Sequence, residues 1–269
     1  RVMALVNYDI RGKKPEGEII RIITRAHNKI VGTFFQSRDY AFVVPDDKKI
    51  ASDIYIMRRD FNGAKNNQKV VVEITEWPQE HRKAEGKVVE ILGKIGDVGL
   101  EILSIIKQHD LSLEFPAEVI EASKKIPKNV LKDELAGRRD LRHLPIVTID
   151  GEDAKDLDDA VYVQQLSMDE FLLGVYIADV SYYVKEDSIL DKEARERGTS
   201  VYLVDRVLPM LPERLSNGIC SLNAGVDRLS MACEMHINRE GKVLDYEIFP
   251  AVIHVRHRLS YNIVREILA

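Results

Sequence analysis

The residues best suited to chemistry lie in a short acidic segment between two apolar runs. Residues 146–149 and 160–163 are apolar and rich in β-branched side chains, a pattern typical of strands. The acids between them are Asp150, Glu152, Asp153, Asp156, Asp158 and Asp159. Carboxylates packed this closely raise one another's pKa by repulsion, so the arrangement is unfavourable unless water or a cation screens the charges. A divalent cation is the obvious screen.

The spacing favours convergence of four of these carboxylates on one point. In an extended backbone Asp156 and Asp158 point to the same face, and Asp159 joins them only where the chain bends. Asp150 approaches the same point if the segment folds back as a loop. Ligands that are all oxygen, with no His or Cys nearby, favour Mg²⁺ or Mn²⁺ over zinc. Such a metal usually keeps open positions for phosphate oxygens, so the segment predicts phosphodiester chemistry.

Two other interpretations of the acidic segment stay open on spacing alone. Surface turns are rich in Asp and Gly, so an acidic loop between strands is often simply solvated. The second alternative is a structural calcium site. An EF-hand loop, however, needs a glycine at its sixth position and a late glutamate, whereas Gly151 follows Asp150 directly.

Composition limits the class of protein. The chain has 269 residues, of which 45% are hydrophobic, and this is enough for two domains with real cores. Its formal net charge of −5 does not predict a basic face, so any path for a nucleic acid must be a local channel. Cys220 and Cys233 lack metal-ligand spacing and are expected as buried, reduced thiols. The sequence shows no signal peptide and no membrane-spanning run, so we expect a cytoplasmic protein without membrane association.

The first part of the chain has the strand spacing of a small barrel. Apolar runs predict a leading strand at residues 1–10, another at 18–24 and barrel strands at 30–37, 40–47, 53–60, 69–77 and 86–93. Aromatic residues cluster on the early strands, namely Phe34, Phe35, Tyr40, Phe42 and Tyr55. Such a cluster beside arginines is what a sequence-tolerant binder of single strands needs. Because neighbours in a strand face opposite ways, at least one of Phe34 and Phe35 belongs to the core.

Helical segments and a further strand follow. Residues 99–111 and 116–126 have apolar positions at helical intervals and predict a helical linker. The charged run 132–143 contains Arg138, Arg139, Arg142 and His143, which either guide a phosphate backbone or belong to a solvated helix end. Residues 171–184 predict a strand buried on both faces. Asp179 within it needs a partner, and it either orients the metal cluster or caps the strand.

Later segments have clear local signals. Ser188 and Gly198 are the expected caps of a helix that leads into a strand at residues 199–204. Residues 207–218 contain two prolines and a glycine and predict an irregular loop rather than a helix. His254 and His257 have no partner in sequence, so we expect surface or core histidines rather than catalytic ones.

Five longer motifs together resemble one known family. They are TIDGEDAKDLDDAV (148–161), IADVSYYV (177–184), LDKEARERGTSVYL (190–203), LPMLPERLSNGICSLN (208–223) and DRLSMACEM (227–235). In this order they closely resemble the ribonuclease II/ribonuclease R family of exoribonucleases, and its ribonuclease R branch more closely. The resemblance extends over nearly the whole chain. By comparison with the family, the start at Arg1 and the end at Ala269 suggest a piece of a longer protein.

The resemblance implies a multidomain α+β fold. An OB-type, cold-shock-like β-barrel is expected first, followed by the N-terminal part of a mixed α/β RNB catalytic domain. The expected boundaries are 1–27 for the tail of a first cold-shock-type domain, 28–95 for the cold-shock-like RNA-binding domain, 96–140 for a helical linker and 141–269 for a truncated RNB domain.

The resemblance also implies an activity, the processive 3′→5′ hydrolysis of RNA to nucleoside 5′-monophosphates. Mg²⁺ would be held by Asp150, Asp156, Asp158 and Asp159, with Asp158 most closely tied to catalysis. Tyr202 and Tyr261 match tyrosines that in the family stack near the 3′-terminal bases of bound RNA. The alternative for each is a core tyrosine with a bonded hydroxyl. The expected partners of the protein, a monomer, are single-stranded RNA and RNA with 3′ overhangs.

The family also uses an acidic residue, an arginine and a second aromatic clamp from positions beyond Ala269. We therefore expect this chain alone to be weakly active or inactive. Two competing classes are a non-catalytic RNA-binding module with an inert acidic loop and a metal-dependent phosphomonoesterase. The order of the motifs argues against the second.

Overall fold

The computed structural model describes residues 1–7, 16–25, 28–38, 40–50, 52–79 and 82–269. These residues form two compact units, Arg1–Leu111 and Ser112–Ala269, and each has its own core. Within the described ranges no helix is long and apolar enough to cross a membrane. The leading strand predicted at 1–10 is observed as Val2–Asn7, and residues 8–10 lie outside the described part of the chain.

The first unit contains a ribbon, a closed barrel and a helix. The ribbon pairs β1 (Val2–Asn7) with β2 (Glu16–Ile22) in antiparallel register. The barrel strands are β3 (Lys29–Gln36), β4 (Tyr40–Pro45), β5 (Ile54–Met57), β6 (Gln68–Glu76) and β7 (Glu85–Lys94). They close in the order β3-β4-β5-β7-β6, which confirms the predicted barrel. Helix α1 (Leu100–Gln108) completes the unit.

Alternation of side chains fills the barrel interior. Phe34, Val43 and Ile54 are fully buried, whereas Phe35 points outward, so the prediction that Phe34 and Phe35 face opposite ways is confirmed. A Cβ at Gly32 would lie 2.4 Å from the carbonyl oxygen of Val44, and glycine therefore permits the close approach of β3 to β4. The predicted strand 53–60 is shorter than expected, because Arg58–Asp60 offer the core no apolar side chain and form a 3₁₀ turn.

The second unit is built on a mixed sheet. Its strands are β8 (Arg139–Asp140), β9 (Val147–Asp150), β10 (Asp159–Gln165), β11 (Glu170–Ala178), β12 (Val201–Tyr202), β13 (Val207–Leu208), β14 (Asp227–Asn238), β15 (Val243–His254) and β16 (His257–Ser260). Seven of them form one sheet in the order β16-β9-β10-β11-β14-β15-β8, while β12 and β13 form a separate hairpin. Its pairs are antiparallel except β16 with β9 and β15 with β8.

The second unit also contains four α-helices. They are α2 (Ala117–Lys124), α3 (Val180–Tyr183), α4 (Ile189–Arg197) and α5 (Tyr261–Leu268). The caps predicted for α4 are confirmed: the Ser188 hydroxyl accepts a hydrogen bond from the Asp191 amide at 3.2 Å, and Gly198 ends the helix with a φ of 72°. The two predicted linker helices are observed as α1 and α2, which belong to different units. Cys220 is buried and Cys233 half-buried, and both are free thiols.

The strand predicted at 171–184 is wrong in its second half. β11 ends at Ala178, α3 follows, and Ile177 is 46% exposed, so the strand is not buried on both faces. Asp179 causes the break because a buried carboxylate must be paired. It accepts hydrogen bonds from Nη2 of Arg138 at 2.6 Å and from the Ser181 hydroxyl at 3.0 Å. Asp179 thus lies directly after the last residue of β11, as the predicted strand cap would, and its partner is Arg138.

The irregular loop predicted at 207–218 is also corrected. It contains β13 and leads into a π-helical turn, Leu215–Ile219, because a helical turn lets Leu215 and Ile219 pack against Val119 of α2 and Leu190 of α4. The predicted strand 199–204 is reduced to Val201–Tyr202.

The basic run 132–143 is not a solvated helix end. It forms a 3₁₀ turn, Lys132–Leu135, and the short strand β8. Its three arginines are bound within the unit: Arg138 to Asp179, Arg139 to Glu247 at 2.7 Å, and Arg142 to Asp140 and Asp227. The three arginines predicted as candidates for guiding a phosphate backbone are therefore already paired with carboxylates of their own unit.

Candidate active site

The acidic segment is the loop between two neighbouring strands of the sheet. β9 and β10 are antiparallel, and Asp150 is the last residue of β9 while Asp159 is the first of β10. Both carboxylates therefore start at the same edge of the sheet. The loop 151–158 returns the chain between them, as the sequence analysis expected for convergence.

One apolar residue anchors this loop. Leu157 is fully buried in the core of the second unit, between two aspartates that are not. Its amide donates to the Ser221 hydroxyl at 3.1 Å, and its carbonyl accepts from the Leu222 amide at 2.7 Å. The Ala178 amide also binds the Asp158 carbonyl at 2.9 Å. With the backbone fixed at these points, the side chains of Asp156 and Asp158 are held on either side of Leu157.

Asp150 shows the electrostatic character of the loop. Its pKa is raised, first by burial and then by repulsion from Asp159 and Asp158, while the positive charge of Arg258 acts in the opposite direction. Its Oδ2 atom is buried and has no hydrogen-bond partner among the described residues. A buried acceptor without a donor is costly. An all-oxygen set with one such acceptor fits a hard cation such as Mg²⁺.

Tyr202 lies beside these aspartates. Its hydroxyl donates a hydrogen bond to Oδ2 of Asp156, and this bond, together with burial, raises the pKa of the phenol to about 12. Its side chain is nevertheless 63% exposed, so it is not the core tyrosine of the alternative interpretation. Tyr261 is 65% exposed and begins α5, next to Ser260, which pairs in register with Asp150.

A cleft of about 980 Å³ opens at this position. Asp150, Asp156, Asp158 and Tyr202 line it, and Asp159 is not among its lining residues. Two arginines, Arg206 and Arg258, line the same cleft, so positive charge faces the carboxylates. Sequence reasoning missed both arginines. Both lie outside the five motifs, and sequence spacing has no signal that places either of them near the loop.

The carboxylates are neighbours without forming a preassembled cage. Across the described ranges, no three His, Cys, Asp or Glu side chains are arranged in a geometry that would hold a metal ion. The Tyr202 hydroxyl is bonded to Asp156, while burial and repulsion from the neighbouring aspartates act on Asp150.

His254 has a partner that the sequence did not reveal. Its Nδ1 lies 2.9 Å from Oδ1 of Asp227, which also binds Arg142. Because Asp227 pairs with His254 in the sheet register, the contact joins two strands. The histidine is thus placed in the sheet and not among the residues that line the cleft.

The barrel of the first unit has a second candidate surface. Phe35 stacks on Phe42 with ring centroids 5.5 Å apart, and Tyr40 stacks on Tyr55 at the same distance. Phe42 and Tyr55 are register partners on β4 and β5. We call these four residues the aromatic ladder. Rings on the outside of an OB-type barrel are a stacking platform for unpaired bases.

Comparison with known proteins agrees with this architecture. Residues 42–116 match the cold shock domain family, and residues 138–269 match the RNB domain family. The chain is 52% identical over 256 residues to ribonuclease R of Thermotoga maritima, covering 94% of this chain and 36% of that protein. It is also similar to the structure of Mycoplasma genitalium RNase R in complex with ribose methylated single-stranded RNA, with a TM-score of 0.85 and 30% identity, covering 99% of this chain and 42% of that one.

A third similarity concerns the fold alone. The structure of yeast Ssd1, a pseudonuclease, has a TM-score of 0.78 at 20% identity and covers 100% of this chain and 34% of that chain. Fold and site together define the class: a modular protein in which a cold-shock-like barrel precedes an RNB domain. The chain belongs to the ribonuclease II/ribonuclease R family. It spans about a third of the length of the curated relatives it matches.

Proposed function

We propose that the chain is part of a cytoplasmic 3′→5′ exoribonuclease that hydrolyses RNA processively to nucleoside 5′-monophosphates. The observation that supports this best is the cleft in which Asp150, Asp156 and Asp158 lie beside the exposed ring of Tyr202. Carboxylates that hold a cation and a ring that stacks on a base are the two features that removal of a terminal nucleotide requires. Similarity to ribonuclease R over most of the chain supports the same proposal.

Asp150, Asp156, Asp158 and Asp159 are the residues that would hold Mg²⁺. The unpartnered Oδ2 of Asp150 and the absence of His, Cys and Met from the residues lining the cleft favour this ion. When bound, Mg²⁺ supplies positive charge at the scissile phosphate and activates a water molecule. The Tyr202 hydroxyl orients the Asp156 carboxylate from outside this set.

The proposed reaction needs no protein nucleophile. A water oxygen forms a bond to the phosphorus of the terminal phosphodiester, and the bond from that phosphorus to the 3′ oxygen of the preceding nucleotide breaks. The leaving oxygen takes up a proton. The products are a nucleoside 5′-monophosphate and an RNA shortened by one nucleotide. The exposed rings of Tyr202 and Tyr261 would stack on the terminal bases, so that selectivity comes from shape and the 2′-hydroxyl.

The proposed substrates are single-stranded RNA and RNA with 3′ overhangs, bound by a monomer. The RNA would be bound in a local cleft, because the net charge of −5 gives the protein no general attraction for a polyanion. The aromatic ladder would bind single-stranded RNA by stacking, without base-specific contacts.

The second candidate is a non-catalytic RNA-binding protein. The aromatic ladder favours it, because stacking on the barrel does not depend on the aspartates. It predicts binding of RNA that is insensitive to EDTA and no metal at the acidic loop. A phosphomonoesterase is less well supported, since small phosphate esters do not need the stacking rings.

A chimera tests the proposal. This chain replaces the matching 256-residue segment of Thermotoga maritima ribonuclease R, so that the remaining parts of the site are supplied. We expect Mg²⁺-dependent release of 5′-mononucleotides from a 3′-hydroxyl poly(A) oligomer. Asp158→Asn abolishes release while RNA binding is retained. Asp169→Asn is the matched control, because Asp169 is exposed and lies outside the cleft.

The result also separates the two candidates. Equal rates of mononucleotide release by the folded Asp158→Asn and Asp169→Asn chimeras would show that the aspartate loop has no part in the mechanism. The chain by itself is expected to release mononucleotides slowly or not at all, with RNA binding preserved.

A further inference from the structure

Arg258 holds the backbone of the acidic loop. Its Nη2 donates to the carbonyl oxygens of Ala154 at 2.6 Å, Glu152 at 2.7 Å and Gly151 at 3.3 Å. One guanidinium thus binds three of the four backbone carbonyls of residues 151–154. Hydrogen bonds from charged donors are stronger than those between neutral groups.

The sheet explains how a residue so distant in sequence reaches the loop. β16 runs parallel to β9, and Arg258 is the register partner of Thr148, three residues before the loop begins at Gly151. The corner that follows β16 makes a second contact, because Nδ2 of Asn262 donates to Oε1 of Glu152 at 2.8 Å. The Ser260 hydroxyl accepts from the Ile263 amide and caps α5, which fixes this corner.

The loop needs such a support for an electrostatic reason. Residues 151–158 have no strand or helix bonds of their own, apart from the turn in which the Ala154 amide donates to Gly151. Leu157 anchors the second half of the loop, whereas Arg258 and Asn262 bind its first half. Repulsion among the aspartates favours an expanded loop, and a contact at each half opposes that expansion.

We propose that Arg258 is a positioning residue that holds residues 151–154 so that Asp150 and Asp156 face the same cleft. It acts through backbone carbonyls. The proposal rests on the proposed function only where it concerns the cation, since the support of the loop is a property of the chain itself. The sequence did not single out Arg258, and its role follows from contacts made across more than 100 residues.

Charge and position predict opposite effects of removing this arginine. Arg258 is a cation beside the Asp150 carboxylate, so as a mere charge it opposes the binding of another cation. Its removal would then tighten metal binding. If Arg258 positions the loop, its removal weakens metal binding, because the carboxylates lose their common orientation. The sign of the change distinguishes the two roles.

The experiment compares Arg258→Met, Arg258→Lys and Arg256→Met in the whole chain. Arg256 is the matched control: it is exposed, lies two residues away and has the same charge, and its described side-chain contact is a 3.5 Å bond to the Arg142 carbonyl. Two quantities are measured, the dissociation constant for Mn²⁺ by calorimetry with Mg²⁺ as competitor, and hydrogen exchange of residues 150–159.

We expect Arg258→Met to weaken Mn²⁺ binding by about 10–100-fold, as is usual for residues that orient metal ligands. Exchange in the loop becomes faster. Arg258→Lys keeps the charge but cannot reach three carbonyls, so it gives a smaller loss in the same direction. Arg256→Met leaves both quantities unchanged.

Unchanged or tighter Mn²⁺ binding by folded Arg258→Met and Arg258→Lys, with unchanged exchange, would overturn the inference. If the wild-type chain binds no Mn²⁺ while Arg258→Met still accelerates exchange in the loop, the support by Arg258 stands and the proposed metal site fails. If Arg258→Met does not fold, Arg258→Lys decides by the same two measurements.

Discussion

At the scale of single residues, the environment of the Asp150 carboxylate is the clearest sign of what the cleft can bind. Burial and repulsion from Asp159, Asp158 and Asp156 raise the pKa of this carboxylate, and Arg258 acts in the opposite direction. A carboxylate in that position is unfavourable in isolation. A bound cation would interact favourably with both the unpartnered Oδ2 of Asp150 and the nearby carboxylates. The arrangement therefore favours a metal site more strongly than the acidic composition of the segment does.

Tyr202 gives the residue-scale prediction. Tyr202→Ala should weaken binding of a short single-stranded RNA by about 10-fold, since stacking contributes about 1–3 kcal/mol per base. Tyr202→Phe keeps the ring and should bind RNA nearly as the wild type does. Fluorescence anisotropy with a labelled oligonucleotide measures both.

The control for this prediction is Tyr246→Ala. Tyr246 is an exposed tyrosine of the same unit and does not line the cleft. Equal affinity of Tyr202→Ala and Tyr246→Ala for the oligonucleotide would show that Tyr202 does not stack on RNA.

At the scale of elements, the buried pair of Arg138 and Asp179 explains where β11 ends. The two side chains are 8% and 7% exposed, and the guanidinium also lies over the ring of Tyr182 at 4.9 Å. Asp179 accepts two side-chain bonds at the point where the strand becomes α3. The pair therefore joins the segment before β8 to the middle of the sheet.

Removing one partner of this pair should be costly. We expect Arg138→Ala to destabilise the second unit by about 3–5 kcal/mol, because it leaves a buried, unpaired carboxylate. Hydrogen exchange of β11 and β14 peptides under increasing urea measures this locally, since the two units need not unfold together.

Arg239→Ala provides the comparison. Arg239 is an exposed arginine with a 3.8 Å contact to Asp169, and its loss should cost less than about 1 kcal/mol. The combined change of Arg138 and Asp179 to alanine should be milder than Arg138→Ala alone, since no charge stays unpaired. Equal effects of Arg138→Ala and Arg239→Ala would contradict the interpretation.

Local patterns predicted the elements better than their ends. The alternation around Phe34 and Phe35 and the caps Ser188 and Gly198 depend on neighbours in sequence, so the barrel strands and α4 were predictable. The break at Asp179 depends on Arg138, 41 residues earlier, and the support of the acidic loop depends on Arg258, more than 100 residues later. Sequence spacing contains no signal for such contacts, so the aspartates were predicted without the residues that position them.

At the scale of the whole molecule, charge and function are distributed unequally. A net charge of −5 does not indicate a partner that is a polyanion. The groups suited to RNA are local: an aromatic ladder on the barrel of the first unit and a cleft with two arginines in the second. The yeast pseudonuclease has the same fold, so the fold by itself does not establish hydrolysis, and the residues of the cleft must decide.

The most direct test of the account is Mn²⁺ binding by the whole chain, followed by electron paramagnetic resonance as the metal is titrated. A metal site in the aspartate loop predicts saturable Mn²⁺ binding that excess Mg²⁺ displaces. Asp158→Asn should weaken it by at least about 10-fold, whereas Asp169→Asn should not change it. Absence of saturable binding, or equal affinities of the two variants, would contradict the claim that the aspartate loop is a metal site.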